Sequence, residues 1–133
     1  MHIHHVDPTD PASIDQQLVA LQDSLTEPDP EECVLCYLTR VLPLFGCDTT
    51  LRWTRRWRDR VRPQATALER RFEASGGFCD CEIFWNGWTL RDDLQVVDRR
   101  GELDRPDELP RCAGLAPRAA RPCANWRRRL RWE

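Results

Sequence analysis

The sequence contains no lysine; all twenty of its basic residues are arginine. Arginine suits bidentate recognition of carboxylates and phosphates, but codon bias explains its exclusive use equally well, so no function follows from it. There is one Met and one Tyr, and the three His residues all fall within the first five positions. A Ser-His or Cys-His dyad inside a folded core is therefore not expected, which weighs against a hydrolase or protease. Neither a Gly-x-Ser-x-Gly segment nor a Gly-rich phosphate-cradling loop occurs. The longest apolar run, Cys33 to Leu38, is six residues, whereas a membrane-spanning helix needs about twenty. No basic stretch followed by an apolar one opens the chain, which argues against a cleaved secretory signal. The expectation is a cytoplasmic protein without membrane contact.

What is present is enough for one folding unit. The 133 residues match one ordinary domain, or about 100 residues plus tails. A 41% hydrophobic fraction with six Trp supplies a core, while 32% charged residues and ten Pro leave part of the chain outside it. Charge is segregated. Residues 1–32 carry eight acids and no Arg, and residues 33–72 carry nine Arg and three acids. Residues 73–110 carry four Arg and ten acids, and residues 111–133 carry seven Arg and one acid. The net charge of −2 thus hides alternating acidic and basic blocks. Pairing between the blocks inside one fold is the simpler reading; basic patches for a polyanion are the alternative.

Periodicity predicts four helices. Asp10-Pro11 is a helix start with Pro at the first position, and Ile14, Leu18, Leu21 and Leu25 follow on one face. Asp29-Pro30-Glu31-Glu32 is a second start signal. Val34, Leu35, Leu38, Val41, Leu42 and Phe45 then fall within an arc of roughly 120°; Pro43 and Gly46 close this helix. A third helix, capped by Asp48-Thr49-Thr50, turns Trp53, Trp57 and Val61 inward and Arg52, Arg55, Arg58 and Arg62 outward. A fourth covers Gln64 to Ser75, with Ala65, Leu68 and Phe72 inward, and Gly76-Gly77 stops it. From Cys79 to Trp85 the alternation has period two, and Asn86-Gly87 is a hairpin turn signal. A strand, a turn and a return strand over Trp88 to Arg91 are therefore predicted, with Trp85 opposite Trp88 and a short third strand near Leu94 to Val97. The fold class is α+β: a flexible N-terminus over 1–10, a domain of four helices and a β-hairpin over 11–98, and an Arg/Pro-rich, Cys-anchored C-terminal arm over 99–133. Composition alone does not order that arm; a crosslink, a metal or the domain itself must do so.

Seven cysteines carry the chemistry: Cys33, Cys36, Cys47, Cys79, Cys81, Cys112 and Cys123. Zinc takes four thiolate or imidazole ligands, often supplied as closely spaced pairs, and Cys33/Cys36 and Cys79/Cys81 are such pairs. On the second helix, Cys33 and Cys36 would point away from the apolar arc, so core packing explains neither. Cys79 and Cys81 share a side only if their segment is not helical. Four readings compete: structural zinc, which is preferred; buried unliganded thiols; disulfides; and a dithiol redox enzyme. Glu31 and Glu32 beside Cys33, and the missing preceding strand, count against the last. His2, His4 and His5 could hold a metal loosely, but a fraying terminus gives them no fixed geometry.

The segments Cys47-Asp48-Thr49-Thr50-Leu51-Arg52 and Gly76-Gly77-Phe78-Cys79-Asp80-Cys81-Glu82 resemble a bacterial family of small proteins known only as a domain of unknown function. Its hallmarks are a Cys-Asp-x-Thr-Leu-Arg segment and a Gly-Gly-Phe/Tyr-Cys-Asp-Cys-Glu segment. The early Cys-x2-Cys and the late Pro122-Cys123-Ala124-Asn125-Trp126 resemble an actinobacterial branch of that family. The resemblance spans about residues 33 to 88 and implies no established activity. It does imply a partition of the metal ligands. Cys33, Cys36, Cys112 and Cys123 would make one closed site that pins the arm to the second helix. Cys47, Cys79 and Cys81 would make a second set needing a further donor: Glu82, Asp48, a terminal His or water. Other members often have His where this chain has Thr49.

Three functions follow in order of preference. The first is structural metal binding, with zinc the first choice, in a protein that acts through contacts, such as those with a protein partner. The second is a metal-dependent enzyme with an open Cys-ligated position. The third is a nucleic-acid-binding module using the Arg face of the third helix with Arg127, Arg128, Arg129 and Arg131; the sequence pI of 5.9 speaks against this one. Asp92-Asp93 reads as a solvated strand end.

Overall fold

The computed structural model describes residues 10–133, so the three His residues and all but the last position of the 1–10 segment lie outside the described residues. Among the described residues there are five helices and two small antiparallel sheets, an α+β fold that is mostly helical. The helices are α1 (Pro11–Leu25), α2 (Val34–Phe45), α3 (Arg52–Val61), α4 (Leu68–Ala74) and the short α5 (Asp80–Glu82), which runs into a π-helical turn (Ile83–Gly87). The strands are β1 (Trp88–Leu90), β2 (Val96–Val97), β3 (Leu103–Asp104) and β4 (Trp126–Arg128). No helix of the structure is long and apolar enough to cross a membrane.

The core forms around α2. Val34, Leu35, Leu38 and Val41 of the expected arc are buried, Leu42 and Phe45 are half-buried, and Tyr37 is buried beside them. Trp53 and Trp57 of α3 pack onto this face, as their i, i+4 spacing requires. Each buried indole also needs an acceptor for its N–H. Trp53 donates to the carbonyl of Gly46 at 2.9 Å and Trp57 to that of Glu32 at 2.8 Å. Leu68 and Phe72 of α4, and Ile83 and Phe84 of the π turn, complete the packing. From the far end of the chain, Cys123 and Trp126 join the same core.

Helix α1 starts as its sequence dictates, with the Asp10 carboxylate accepting from the Ala12 amide. Its end is stitched to the core: Tyr37 donates its hydroxyl to the carbonyl of Thr26 at 2.7 Å, and Arg40 and Arg56 reach the carbonyls of Leu25, Thr26 and Glu27. Its apolar residues Leu18, Val19, Leu21 and Leu25 are all more than half exposed.

Three expectations change. First, the capping interactions at Asp29 form, with the Asp29 carboxylate accepting from the Glu31 amide and the Glu32 carboxylate from the Asp29 amide, but they close a separate turn. Helix α2 begins later, because Cys33 adopts an extended conformation and becomes the N-cap itself. Second, the fourth helix is shorter than Gln64 to Ser75. Tight turns between Arg62 and Leu68 redirect the chain after Pro63, which has no N–H to offer a helix.

Third, the hairpin at Asn86-Gly87 does not form. Ile83 and Phe84 are consecutive and both buried, while Trp85 is 68% exposed, a pattern no strand gives. The segment is helical, and its glycines serve close approach. Gly87 lies against Ser75, and Asn86 donates its amide to the Gly76 carbonyl at 2.9 Å. Trp88 pairs with Arg128 instead of Trp85, so β1 takes β4 as its partner in the register Trp88↔Arg128, Leu90↔Trp126. The hairpin of the fold lies downstream, where β2 and β3 pair through the turn from Asp98 to Glu102.

Gly77 is the tightest of these contacts. A Cβ there would sit 2.8 Å from Ile83 Cγ1 and 3.2 Å from both the Ile83 Cα and the Phe72 carbonyl oxygen. Backbone neighbours cannot swing aside. Gly77→Ala is therefore expected to destabilise by about 2 kcal/mol, measured as a lower urea midpoint at an unchanged slope.

The charge blocks pair across the fold. Glu27 meets Arg56 and Arg60, Glu32 meets Arg40, and Asp92 meets Arg127, while Glu69 meets Arg55 and Arg58 within its own block. Arg62 turns to the carbonyls of Ala116 and Ala119, and Arg52 lies over the Trp53 ring. The Arg face of α3 is thus largely engaged within the molecule. Asp92 and Asp93 sit in a 3-10 turn, paired to Arg127 and Arg91.

Candidate metal centre

Four cysteines from three distant parts of the chain meet at one point. The sulfurs of Cys33, Cys36, Cys112 and Cys123 all lie within 4.8 Å of one another. The Cys36 and Cys123 sulfurs are 3.8 Å apart, and a tetrahedron of Zn–S bonds places its sulfurs about 3.8 Å apart. All seven cysteines are free thiols.

Local structure explains why each sulfur points where it does. As N-cap of α2, Cys33 turns its sulfur back over the first turn, where the Cys36 amide donates to it at 3.5 Å. Its extended backbone also frees its own amide, which donates to the Cys112 sulfur at 3.4 Å. One helical turn on, Cys36 accepts from the indole N–H of Trp126 at 3.4 Å. Backbone N–H groups of Asn125 and Ala113 favour the thiolate of Cys123. Cys33, Cys36 and Cys112 therefore each accept from an N–H donor, an arrangement that stabilises thiolate charge.

The arm is held in register around this point. The Asn125 amide donates to the Arg111 carbonyl and the Asn125 carbonyl accepts from the Arg91 amide, both at 2.9 Å. The first contact ties the Cys123 segment to the Cys112 segment, and the second ties it to the end of β1. Cys33 is fully buried and Cys123 nearly so, while Cys36 and Cys112 are half-buried. These two line a surface cleft with Thr39, Arg40 and Pro110, a path by which an ion can enter.

The cluster shares its protons unevenly. Hydrogen bonds from the Cys33 and Cys36 thiols hold Cys123 down to about 2. The same contact with Cys123 pushes Cys33 up to about 12 and Cys36 well above its ordinary range, with burial adding to both. A crowded, buried group of thiols resists gathering further negative charge without a cation. A raised Cys33, the first thiol of the Cys-x2-Cys pair, is also the reverse of what a thioredoxin-type nucleophile requires.

Cys47, Cys79 and Cys81 gather separately. The Cys47 sulfur has both other thiols as neighbours. They are set more loosely: among the described residues, the Cys33/Cys36/Cys112/Cys123 group is the one whose ligand atoms all lie within 4.8 Å. Asp80, between Cys79 and Cys81, is fully buried. Its Oδ2 accepts from the Trp53 amide at 2.9 Å, and its Oδ1 accepts from the Thr54 amide and hydroxyl at 3.1 and 2.7 Å. It therefore caps the N-terminus of α3 from a remote position, a role that sequence spacing does not reveal. Burial pushes its carboxyl above the usual range, against the pull of these hydrogen bonds. Trp126, as a donor to a sulfur of the cluster, is equally invisible to spacing, although the late Pro-Cys-x-Asn-Trp segment marks its place.

The profile of a family described as "Protein of unknown function (DUF2695)" matches residues 34–86. The match covers Cys36, Cys47, Cys79 and Cys81 and stops short of Cys112 and Cys123. No curated protein and no solved structure matches the chain.

Proposed function

We propose that the chain is a structural zinc protein, in which Cys33, Cys36, Cys112 and Cys123 hold one ion that fastens the C-terminal segment to α2, and that it works through the surface so fixed. What carries the reading is the convergence of four sulfurs within 4.8 Å from positions as far apart as Cys33 and Cys123. Free cysteines are often buried singly as small apolar groups; four meeting at one point, three of them accepting from an N–H donor, serve a cation better than they serve packing. A four-thiolate set of tetrahedral size suits zinc and leaves no open coordination position. That favours a structural ion over a catalytic one. The engaged Arg face of α3 favours contact functions that do not depend on a polyanion.

Elemental analysis of the purified protein with differential alkylation tests this. Zinc should be present, and Cys33, Cys36, Cys112 and Cys123 should become alkylated only after chelation. Iron in place of zinc, or these four thiols reacting freely in the untreated protein, would overturn the reading. Uptake also has a proton signature. Cys33 and Cys36 keep their protons in the metal-free state and must lose them to bind. At least two protons per ion should appear in weakly buffered solution, and affinity should fall about a hundredfold for each unit of pH lowered.

A further inference from the structure

We propose that Cys47, Cys79 and Cys81, completed by the carboxylate of Glu82, form a second metal site, more open than the first and selective for a soft thiophilic cation. It shares no residue with the four-cysteine centre and stands independently of it.

Two chain segments build the site, and they are locked together. Cys47 follows the Gly46 cap of α2, in the connection to α3. Cys79 is the extended N-cap of α5 and only Cys81 lies within the helix, so the i, i+2 divergence of a continuous helix does not separate the pair. The Asp80 amide donates to the Thr50 carbonyl at 3.1 Å, which clips one segment to the other. The Asp80 side chain, directed inward onto the amides of Trp53 and Thr54, anchors the same junction from below. Thr49 holds a left-handed conformation, φ 70°, that a non-glycine residue seldom adopts. The Asp48 carboxylate, accepting from the Thr50 amide at 3.0 Å, helps to keep that turn in place. The backbone around all three cysteines is therefore fixed before any ion arrives.

Packing does not explain the trio. Cys47 and Cys81 are only half-buried, although unliganded cysteine is among the most buried residue types. Cys47 sits as the middle member, with the thiols of Cys79 and Cys81 beside it. The Glu82 carboxyl neighbours the Cys79 sulfur, so a hard donor stands next to three soft ones. Rotation about each Cα–Cβ bond moves a cysteine sulfur without moving the backbone. The looser spacing can therefore close on an ion. Three thiolates select soft or borderline metals over magnesium or calcium. With one carboxylate as the fourth ligand and half-exposed sulfurs, the ion should be held less tightly than in the four-thiolate centre and exchange more readily.

Stepwise cadmium loading of the whole, metal-free chain under anaerobic conditions tests this, followed by sulfur-to-cadmium absorbance. The unaltered chain should show two breaks, at one and at two equivalents. Cys47→Ser/Cys79→Ser should keep only the first, Cys112→Ser/Cys123→Ser only the second, and Glu82→Gln should weaken the second tenfold or more. Alkylation mapping of the unaltered chain tests the same site without any substitution: Cys47, Cys79 and Cys81 should be protected by the second equivalent. Saturation at one equivalent, with these three thiols alkylated equally fast with and without cadmium, would refute the second site. Should Cys47→Ser/Cys79→Ser remove one equivalent and Cys112→Ser/Cys123→Ser remove none, the four-cysteine centre fails and the second site stands.

Discussion

Chelating the ion of the four-cysteine centre, or replacing Cys123 with Ser, should release the C-terminal segment and cost the fold on the order of 5 kcal/mol. The segment from 105 to 125 has no strand or helix of its own. What holds it is Cys112 and Cys123 at the four-cysteine centre, the Asn125 contacts with Arg111 and Arg91, and the pairing of β4 with β1. Remove the ion and only the weak hydrogen bonds of the Cys33 and Cys36 thiols to Cys123 are left to hold the sulfurs together. Trp126 then loses its place against Cys36 and Phe84. For a chain of this size the melting temperature should fall by roughly 15 °C. Trypsin should cut after the exposed Arg111 and Arg118 at least ten times faster. Amide exchange at Trp126 to Arg128 should rise while α2 and α3 stay protected. An unchanged melting temperature and digestion pattern after complete metal removal would show that packing alone orders the segment.

The second large effect is expected at Asp80. Asp80→Ala leaves the Trp53 amide and both donors of Thr54 buried without a partner. Each such group costs about 1–3 kcal/mol, and the three are not independent, so a loss of about 4 kcal/mol is expected. Asp80→Asn keeps one oxygen to accept from Thr54 but turns an amine toward the Trp53 amide, and should recover about half of that loss. Denaturant unfolding measures both. If Asp80→Ala unfolds at the wild-type midpoint, the buried carboxylate is dispensable to α3. The same pair of variants should alter alkylation of Cys47 and Cys81 more than that of Cys36, because Asp80 joins the two segments that carry the former.

The helical half of the fold is legible in the sequence because its signals are local. Pro11 after Asp10, the apolar arc of α2, the Trp53/Trp57 spacing and Gly46 each act within one or two turns, and each appears where its chemistry puts it. Cys79 to Gly87 misleads for the opposite reason. Its alternation of apolar and polar residues is real, but Asp80 is claimed by α3, whose Thr54 lies twenty-six residues earlier in the chain. Gly77 and Gly87 admit neighbours that a strand would exclude. Tertiary demand overrides the local period. At the metal centre, resemblance to a family partitions the cysteines into two sets, and the structure brings the four of one set together. Local periodicity puts Cys33 on the helix; it caps it instead, and the cap geometry aims its sulfur inward. The donors from Trp126, Asn125 and Ala113 cannot be read from spacing, since they depend on how the arm returns.

Eighty-seven residues separate Cys36 from Cys123, and this has a bearing on how the protein is made. Synthesis delivers the Cys33/Cys36 pair long before its counterparts, so the nascent chain carries two unsatisfied thiols until Cys112 and Cys123 have emerged. An interrupted product ending before Cys123 would lack a ligand of the proposed metal centre, and lacks β4 to cover β1 as well. Metal capture would thereby distinguish completed molecules from truncated ones, leaving the latter open to proteolytic clearance.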